Sequence, residues 1–268
     1  MDKDPAIHNL WLCKGGNCNP ANGEGSIVID ENVFNAGGDP DGVGAFEFVA
    51  RWDHKVLDVA IAPTSWLAAN GRLVNCTPTI IDESAIHFAC VSKDPDWQTD
   101  PGTPPTGQTA DGTIATLTVN PTVDMVNRLT PGQENGVVRT IVDDNCELAD
   151  IYGDPLSSGA IDPNTGRPIP LPGITPGGEV SICTNSTLTV RILEGDLNLD
   201  CTANVLDDQQ IAYRYGATLG GLLYSPWYDL QPALKDGDID IKDVQKVFGR
   251  NGSTCANPIP PQDPLTPP

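Results

Sequence analysis

The chain is expected to be mainly β, a β-sandwich followed by a small α-helical module built from loop-helix units. Three observations predict this. Residues 26–194 break into short alternating or β-branched runs separated by Gly, Pro, Asn and Asp, the pattern of strands joined by turns. Near the C-terminus, two Asp-rich stretches each open a helix-like run. Eight cysteines, an even number with no C-x-x-C and no zinc-type Cys/His spacing, point to structural disulfides. The 268 residues leave room for an all-β domain of about 190 residues and a module of about 60.

In chain order, residues 1–25 form an arm that carries Cys13 and Cys18 and the apolar Ile7, Leu10, Trp11 and Leu12. The sandwich occupies 26–194, with strands expected over 26–29, 45–52, 56–61, 85–89, 113–119 and 187–192. Two stretches, 94–112 and 152–178, are rich in Pro and Gly and too long for tight turns, so they read as surface insertions. A sharper reading has Thr103, Thr106 and neighbouring hydroxyls carrying sugars. Sequons at Asn75, Asn185 and Asn251 add to a glycoprotein reading only where the glycosylation machinery exists. The module covers 195–256, and a Pro-rich tail, 257–268, has the character of an extended stem.

The stretch Asp196-Leu-Asn198-Leu-Asp200-Cys-Thr202-Ala-Asn204-Val-Leu-Asp207 places oxygen-bearing side chains at loop positions one, three, five, nine and twelve. Ca²⁺ is a hard cation that takes six to eight oxygens, and a tight twelve-residue loop wraps them around one centre, with position seven giving a backbone carbonyl, here that of Thr202. A helix-like run over 207–215 follows. Cys201 stands where the turn favours Gly, and Asp207 is shorter than the usual bidentate Glu. A damaged second copy, Asp236-Gly-Asp238-Ile-Asp240-Ile-Lys-Asp243, reproduces the back half of such a loop, and Val244-Gln-Lys-Val-Phe248 supplies the helix. Asp229 and Gln231 serve as its early ligands only if Pro232-Ala-Leu-Lys is looped out. One D-x-N-x-D run alone is equally an Asx-turn. Two copies, each opening a helix, favour the cation.

This duplicated loop-helix pattern, with Asp at position twelve, resembles a dockerin module of the type I repeat, the calcium-dependent plug that binds a cohesin domain. The resemblance covers about 195–255. It implies Ca²⁺ ligands at Asp196, Asn198, Asp200, Asn204 and Asp207, and at Asp236, Asp238, Asp240 and Asp243. It also implies that the partner is read by positions ten and eleven, here Val205 and Leu206 in one copy and Ile241 and Lys242 in the other. The hydroxylated pair common at these positions is absent, and Val205, Leu206 and Ile241 could instead pack within the chain. Upstream, Gly44-Ala-Phe46-Glu-Phe48-Val-Ala-Arg-Trp52 followed by Val56-Leu57-Asp-Val59 is similar to the early hairpin of cohesin domains. Ala110-Asp-Gly-Thr-Ile-Ala-Thr-Leu and Cys146-Glu-Leu-Ala-Asp-Ile-Tyr-Gly-Asp echo later cohesin strands, so the resemblance implies a cohesin-like β-sandwich of the jelly-roll type over 26–194, followed by the calcium-binding loop-helix module.

With 15 basic and 36 acidic residues the formal charge is −21, which argues against nucleic acid and anionic membrane surfaces as partners. Between 195 and 255 there are nine Asp against five Lys and Arg, so folding of the module is expected to depend on metal. No apolar stretch is long enough to span a bilayer, and no signal peptide is visible; the cysteines lead us to expect that one was removed. The pairing with the shortest loops is Cys13 with Cys18, Cys76 with Cys90, Cys146 with Cys183 and Cys201 with Cys255.

Catalytic signals are weak. The three histidines, His8, His54 and His87, belong to no H-E-x-x-H, and neither G-x-S-x-G nor a P-loop occurs. Acid pairs such as Asp94/Asp96 and Asp143/Asp144 keep a secreted glycoside hydrolase only as a distant alternative. Trp11, Trp66, Trp97 and Trp227, read as exposed, sustain a second alternative, a carbohydrate-binding module of a cell-surface assembly. The expected function is that of a non-catalytic, calcium-stabilised structural protein, extracellular or at the cell surface. Its expected partners are other copies of itself or a cohesin- or dockerin-bearing protein, joined by docking or by strand addition from the arm into a filament or scaffold.

Overall fold

The computed structural model describes residues 8–15, 17–33, 36, 41–95, 105–122, 137–153, 156, 186–231 and 235–259. Among them the chain is mainly β, with nine strands and two short α-helices near the C-terminus. The described residues fall into two compact units, one drawn from 28–119 and 140–187, the other from 7–27, 120–139 and 188–268.

In the first unit, β2 (Ile27–Val33), β7 (Gly112–Pro121) and β4 (Leu57–Pro63) form a sheet in the order β2-β7-β4. A second run has the order β8-β3-β6-β5, from β8 (Val137–Asp150), β3 (Val43–Arg51), β6 (Ala85–Lys93) and β5 (Leu73–Asp82). Period-two alternation sets the inner faces: Ile29 and Val33 of β2 are buried while Val28 and Asp30 are exposed. Phe46 and Phe48 of β3 meet Phe88 of β6, with ring centroids 6.3, 6.1 and 5.7 Å apart. Each such buried ring contributes about 2–3 kcal/mol by leaving water. Leu57 and Val59 of β4 and Leu117 and Val119 of β7 are buried as well.

At Gly44 a Cβ would lie 2.5 Å from the Asp150 carbonyl oxygen, so the close approach of β3 to β8 requires glycine. β5 is an edge strand exposed along most of its length, with Leu73, Ile80 and Ile81 facing solvent. It therefore shows no inward alternation in sequence. Cys76 and Cys90 are direct register partners across β5 and β6 and are joined by a disulfide. The hairpin turn is set by Asp82, whose Oδ1 accepts the Ser84 N–H at 2.6 Å.

In the second unit, β1 (His8–Trp11) runs parallel to β9 (Ser186–Arg191), pairing Asn9 with Thr189 and Trp11 with Arg191. The chain then doubles back through a 3₁₀ turn, Pro20–Asn22, started by Asn19, whose side chain accepts the Ala21 N–H. The Trp11 N–H donates to Gly23 O at 2.8 Å and the Gly25 N–H to Trp11 O at 2.9 Å, and Cys13–Cys18 closes the arm. Leu10, Trp11 and Leu12 are buried. This corrects the expectation of an exposed Trp11: its ring packs on Leu193 and the Cys201–Cys255 disulfide. β1, expected to be free for strand addition to a neighbour, is paired with β9 of its own chain. Cys146 is described; its expected partner Cys183 lies outside the described residues.

Helix α1 (Val205–Ala212) begins two residues before the expected run and ends three before its expected close. The early start comes from a capping box: Asn204 Oδ1 accepts the Leu206 N–H, and Asp207 Oδ2 accepts the Asn204 N–H, both at 2.8 Å. Helix α2 (Ile241–Phe248) is capped in the same way by Asp240 and Asp243.

Candidate functional site

The loops ahead of the two helices share a set of carboxylate-to-backbone hydrogen bonds. In the first, Asp207 Oδ1 accepts the N–H groups of Leu197 and Asn198 at 2.7 and 3.1 Å, and Asp196 Oδ2 accepts that of Cys201 at 2.8 Å. In the second, Asp243 Oδ1 accepts those of Leu230 and Gln231 at 2.6 and 2.7 Å, and Asp229 Oδ2 accepts that of Gly237 at 3.0 Å. Left-handed φ angles fall at the same steps, Leu199 (62°) and Cys201 (64°) in one loop, Lys235 (43°) and Gly237 (91°) in the other.

The register this gives is Asp229 at position one, Gln231 at three, Asp236 at five, Asp238 at seven, Asp240 at nine and Asp243 at twelve. Lys235 therefore matches Leu199, and the extra residues are 232–234, which lie outside the described residues. The expected four-residue insertion included Lys235; the structure takes it back into the loop. Asp229, expected as an early ligand only with Pro232-Ala-Leu-Lys looped out, takes the place that Asp196 has in the first loop.

Each loop pairs through position eight with the segment that follows the other helix. The Ala203 N–H donates to Ser253 O at 3.0 Å and the Gly252 N–H to Ala203 O at 2.9 Å. Correspondingly, the Ile239 N–H donates to Ala217 O and the Gly216 N–H to Ile239 O, both at 2.8 Å. The halves are thus related by a pseudo-twofold, with Leu197, Ile211, Ile239 and Val247 as their shared core. Trp227 belongs to that core and donates its Nε1–H to Leu197 O at 3.2 Å, and Trp66 donates to Ala110 O at 3.0 Å. Trp97 lies outside the described residues.

Asp196, Asp207, Asp229 and Asp243 are all buried. The hydrogen bonds they accept come from loop N–H groups and, at Asp229, from the Tyr224 hydroxyl at 2.8 Å. Burial, with the Asp207 and Asp200 charges adding to it against two backbone hydrogen bonds, pushes the Asp196 carboxyl up to about 7. Asp207 is raised for the same first reason. Burial and the Asp229 carboxylate push the Tyr224 phenol up to about 12. Asp229 Oδ1 is buried with no hydrogen-bond partner.

Oxygens of Asp236, Asp238 and Asp240 lie within 4.8 Å of one another. A hydrogen bond with Asp236 raises Asp238, whereas Lys242, 3.0 Å from Asp240 and 3.7 Å from Asp236, lowers Asp240. Buried carboxylates, an orphaned oxygen and an all-oxygen donor set have the chemistry that a hard cation takes. Asn198, Asp200 and Asn204 stand in the first loop's ring of Asx turns, and Thr202 O already accepts the Asn204 amide at 3.2 Å. Cys13, Glu24 and Cys201 also cluster, but both cysteines are in disulfides and offer no thiolate. Just before the first loop, Glu194 meets Lys246 Nζ at 2.8 Å and Arg250 Nε at 2.5 Å, tying the segment to α2. Burial works to raise its carboxyl, but the two cations prevail and hold it below its ordinary value.

The residues expected to read a partner are exposed: Val205 60%, Leu206 51% and Ile241 51%, with Phe248 (66%) a turn or two along α2. Phe248 carried no signal in sequence because a helix-end aromatic usually packs inward. In the first unit, the outer face of β8-β3-β6-β5 forms a shallow groove of about 370 Å³ lined by Ala45, Glu47, Asn75, Thr77, Ala89, Val91, Glu147 and Ala149. Glu47 stands directly opposite Glu147 in the β3–β8 register, and His87 Nε2 lies 3.1 Å from Glu47. His54 sits in the turn after β3, bonded to Ser84 and 3.2 Å from the well exposed Glu83. Asp96 and the side chains of His8, Asp143 and Asp144 lie outside what is described.

No family model matches the chain, and no curated protein matches it. Among solved structures it is similar to a type I cohesin–dockerin complex from Clostridium thermocellum, at 16% identity over 70% of this chain and 92% of that one, with a TM-score of 0.42. It is also similar to a non-cellulosomal cohesin from the hyperthermophilic archaeon Archaeoglobus fulgidus, at 14% identity over 70% of this chain and 87% of that one, with a TM-score of 0.36. CaCohA2 from Clostridium acetobutylicum is similar at 13% identity over 69% of this chain and 88% of that one, with a TM-score of 0.37.

Proposed function

We propose that this is an exported, non-catalytic interaction protein of cohesin-like and dockerin-like parts, whose C-terminal loops bind two Ca²⁺ and whose helix faces dock on the groove of another copy. The observation that carries this reading is the twin loops, each with two buried carboxylates and each leading into a helix with exposed apolar residues at its start. Ca²⁺ would be held by Asp196, Asn198, Asp200, Thr202 O and Asp207, and by Asp229, Asp236, Asp238, Asp240 and Asp243. Bound, it supplies positive charge that offsets the mutual repulsion of these groups.

The groove supports the choice of partner. Like charges opposite each other on neighbouring strands destabilise a sheet, and a cationic group arriving between Glu47 and Glu147 would relieve that cost. Helix α2 presents Lys242 beside exposed Ile241, and Ile241 shares its face with Phe248 seven residues on. A plug and a socket on one chain give a heterologous contact, which propagates as a filament unless the geometry closes a ring. The disulfides are consistent with an oxidising, extracellular setting. Light scattering of the full chain over a concentration series tests the reading. Mass should grow with concentration in Ca²⁺ and stay monomeric with chelator or with Lys242→Glu; a monomer under every condition would defeat it.

A further inference from the structure

The two loops follow one backbone course on different supports. Position four is Leu199 in the first loop and Lys235 in the second, each at a left-handed φ that is unfavourable for a residue with a Cβ. The Leu199 carbonyl accepts the Lys14 N–H of the N-terminal arm at 2.5 Å. Among the described residues, no backbone N–H reaches the Lys235 carbonyl.

Position six differs in the same sense. Both loops make the same backbone bond here, Cys255 N–H to Cys201 O at 3.1 Å and Leu219 N–H to Gly237 O at 2.6 Å. In the first loop that pair is also a disulfide, packed on Trp11, Leu193 and Cys13. In the second it is Gly237 beside Leu219, with only van der Waals contact available: a Cβ on the glycine would lie 3.5 Å from the Leu219 Cβ. The arm is itself braced by Cys13–Cys18, by the Trp11–Gly23 bond and by the Arg191 guanidinium 5.7 Å over the Trp11 ring.

We infer that arm residues Trp11 to Lys14 are a positioning element for the first cation loop. They brace Leu199 and Cys201 in the ligand-competent course before an ion arrives, whereas the second loop holds the same course without that brace and is ordered further on binding. The inference rests on the calcium reading given above. A pre-formed loop has less ordering to do, so the first site is the tighter one and the second shows the larger change in order.

The test is hydrogen exchange on the full chain, in chelator and in excess Ca²⁺, over residues 197–203 and 235–241, with Ca²⁺ affinities from calorimetry. In chelator the first loop should exchange at least about tenfold more slowly than the second, and Ca²⁺ should slow mainly the second. Lys14→Pro, which removes the donor, and Trp11→Ala should speed exchange of the first loop. Each should also weaken the tighter site about tenfold while leaving the weaker within about twofold, with Trp11→Phe restoring both readouts. Gly237→Cys combined with Leu219→Cys, once oxidised, should slow the second loop in chelator, and this arm needs no change to the N-terminal segment. Equal exchange of the two loops in chelator, or equal weakening of both sites by the arm variants, overturns the inference and leaves the calcium reading intact. If Ca²⁺ slows neither loop, the calcium reading fails and the inference with it.

Discussion

Replacing Asp229 by Asn should change the stability of the C-terminal unit in opposite directions with and without Ca²⁺. Asp229 is fully buried; Oδ2 takes the Tyr224 hydroxyl and the Gly237 N–H, and Oδ1 takes nothing. An unsatisfied buried polar atom costs about 1–3 kcal/mol, and more when it is charged. Asparagine keeps one acceptor for the two donors and removes the charge. In chelator the variant should therefore be as stable as the parent or more stable by about 1–3 kcal/mol. In saturating Ca²⁺ a first-position ligand is lost, and a hundredfold weaker site would cost about 2.7 kcal/mol. Urea denaturation followed by tryptophan fluorescence, with Trp227 in the affected core, reads both arms. A shift of the same sign in both conditions would show that the buried oxygen is not waiting for a cation.

Two further outcomes are expected. Cys201→Ala with Cys255→Ala opens a loop of sequence separation 54, for which chain entropy gives a loss of about 4 kcal/mol; a change under about 1 kcal/mol in denaturation at fixed Ca²⁺ would contradict it. The Ca²⁺-free unit should lose stability as pH rises from about 4 to about 7. Asp196 is raised in the fold from 3.8 to about 7, so the unfolded chain gives up its proton first, and the preference for the protonated fold is gone once pH passes the folded value. The thermal midpoint in chelator should be lower at pH 8 than at pH 5, and Ca²⁺, which requires the ionised ligand, should remove that difference. A higher chelator midpoint at pH 8 would refute the burial argument.

Legibility in the sequence followed the strength of the local signal. Asp196, Asn198 and Asp200 could be read because their spacing is set within one turn of chain, and β2, β3 and β7 because one face of each is apolar. β5 was missed because, as an exposed edge, it has no inward side to alternate. β1 was missed because four residues in an arm carry no period; its burial depends on Trp11 meeting a disulfide about 190 residues away in the chain. The front of the second loop was legible only conditionally, with Asp229 and Gln231 as early ligands if 232–235 were looped out, since the extra residues interrupt the spacing and neither Lys235 nor Leu199 advertises a left-handed φ. Asp229 was therefore only a conditional ligand in sequence, although its burial and orphaned oxygen make it the more telling carboxylate.

Native mass spectrometry of the full chain tests the central claim most directly: metal is stripped with chelator, then Ca²⁺ is returned in excess, alongside Asp207→Asn and Asp243→Asn. Two Ca²⁺ per parent chain are expected, with one lost in each variant and both released again by chelator. A parent chain that takes up no Ca²⁺, or variants that bind as many ions as the parent, would contradict it.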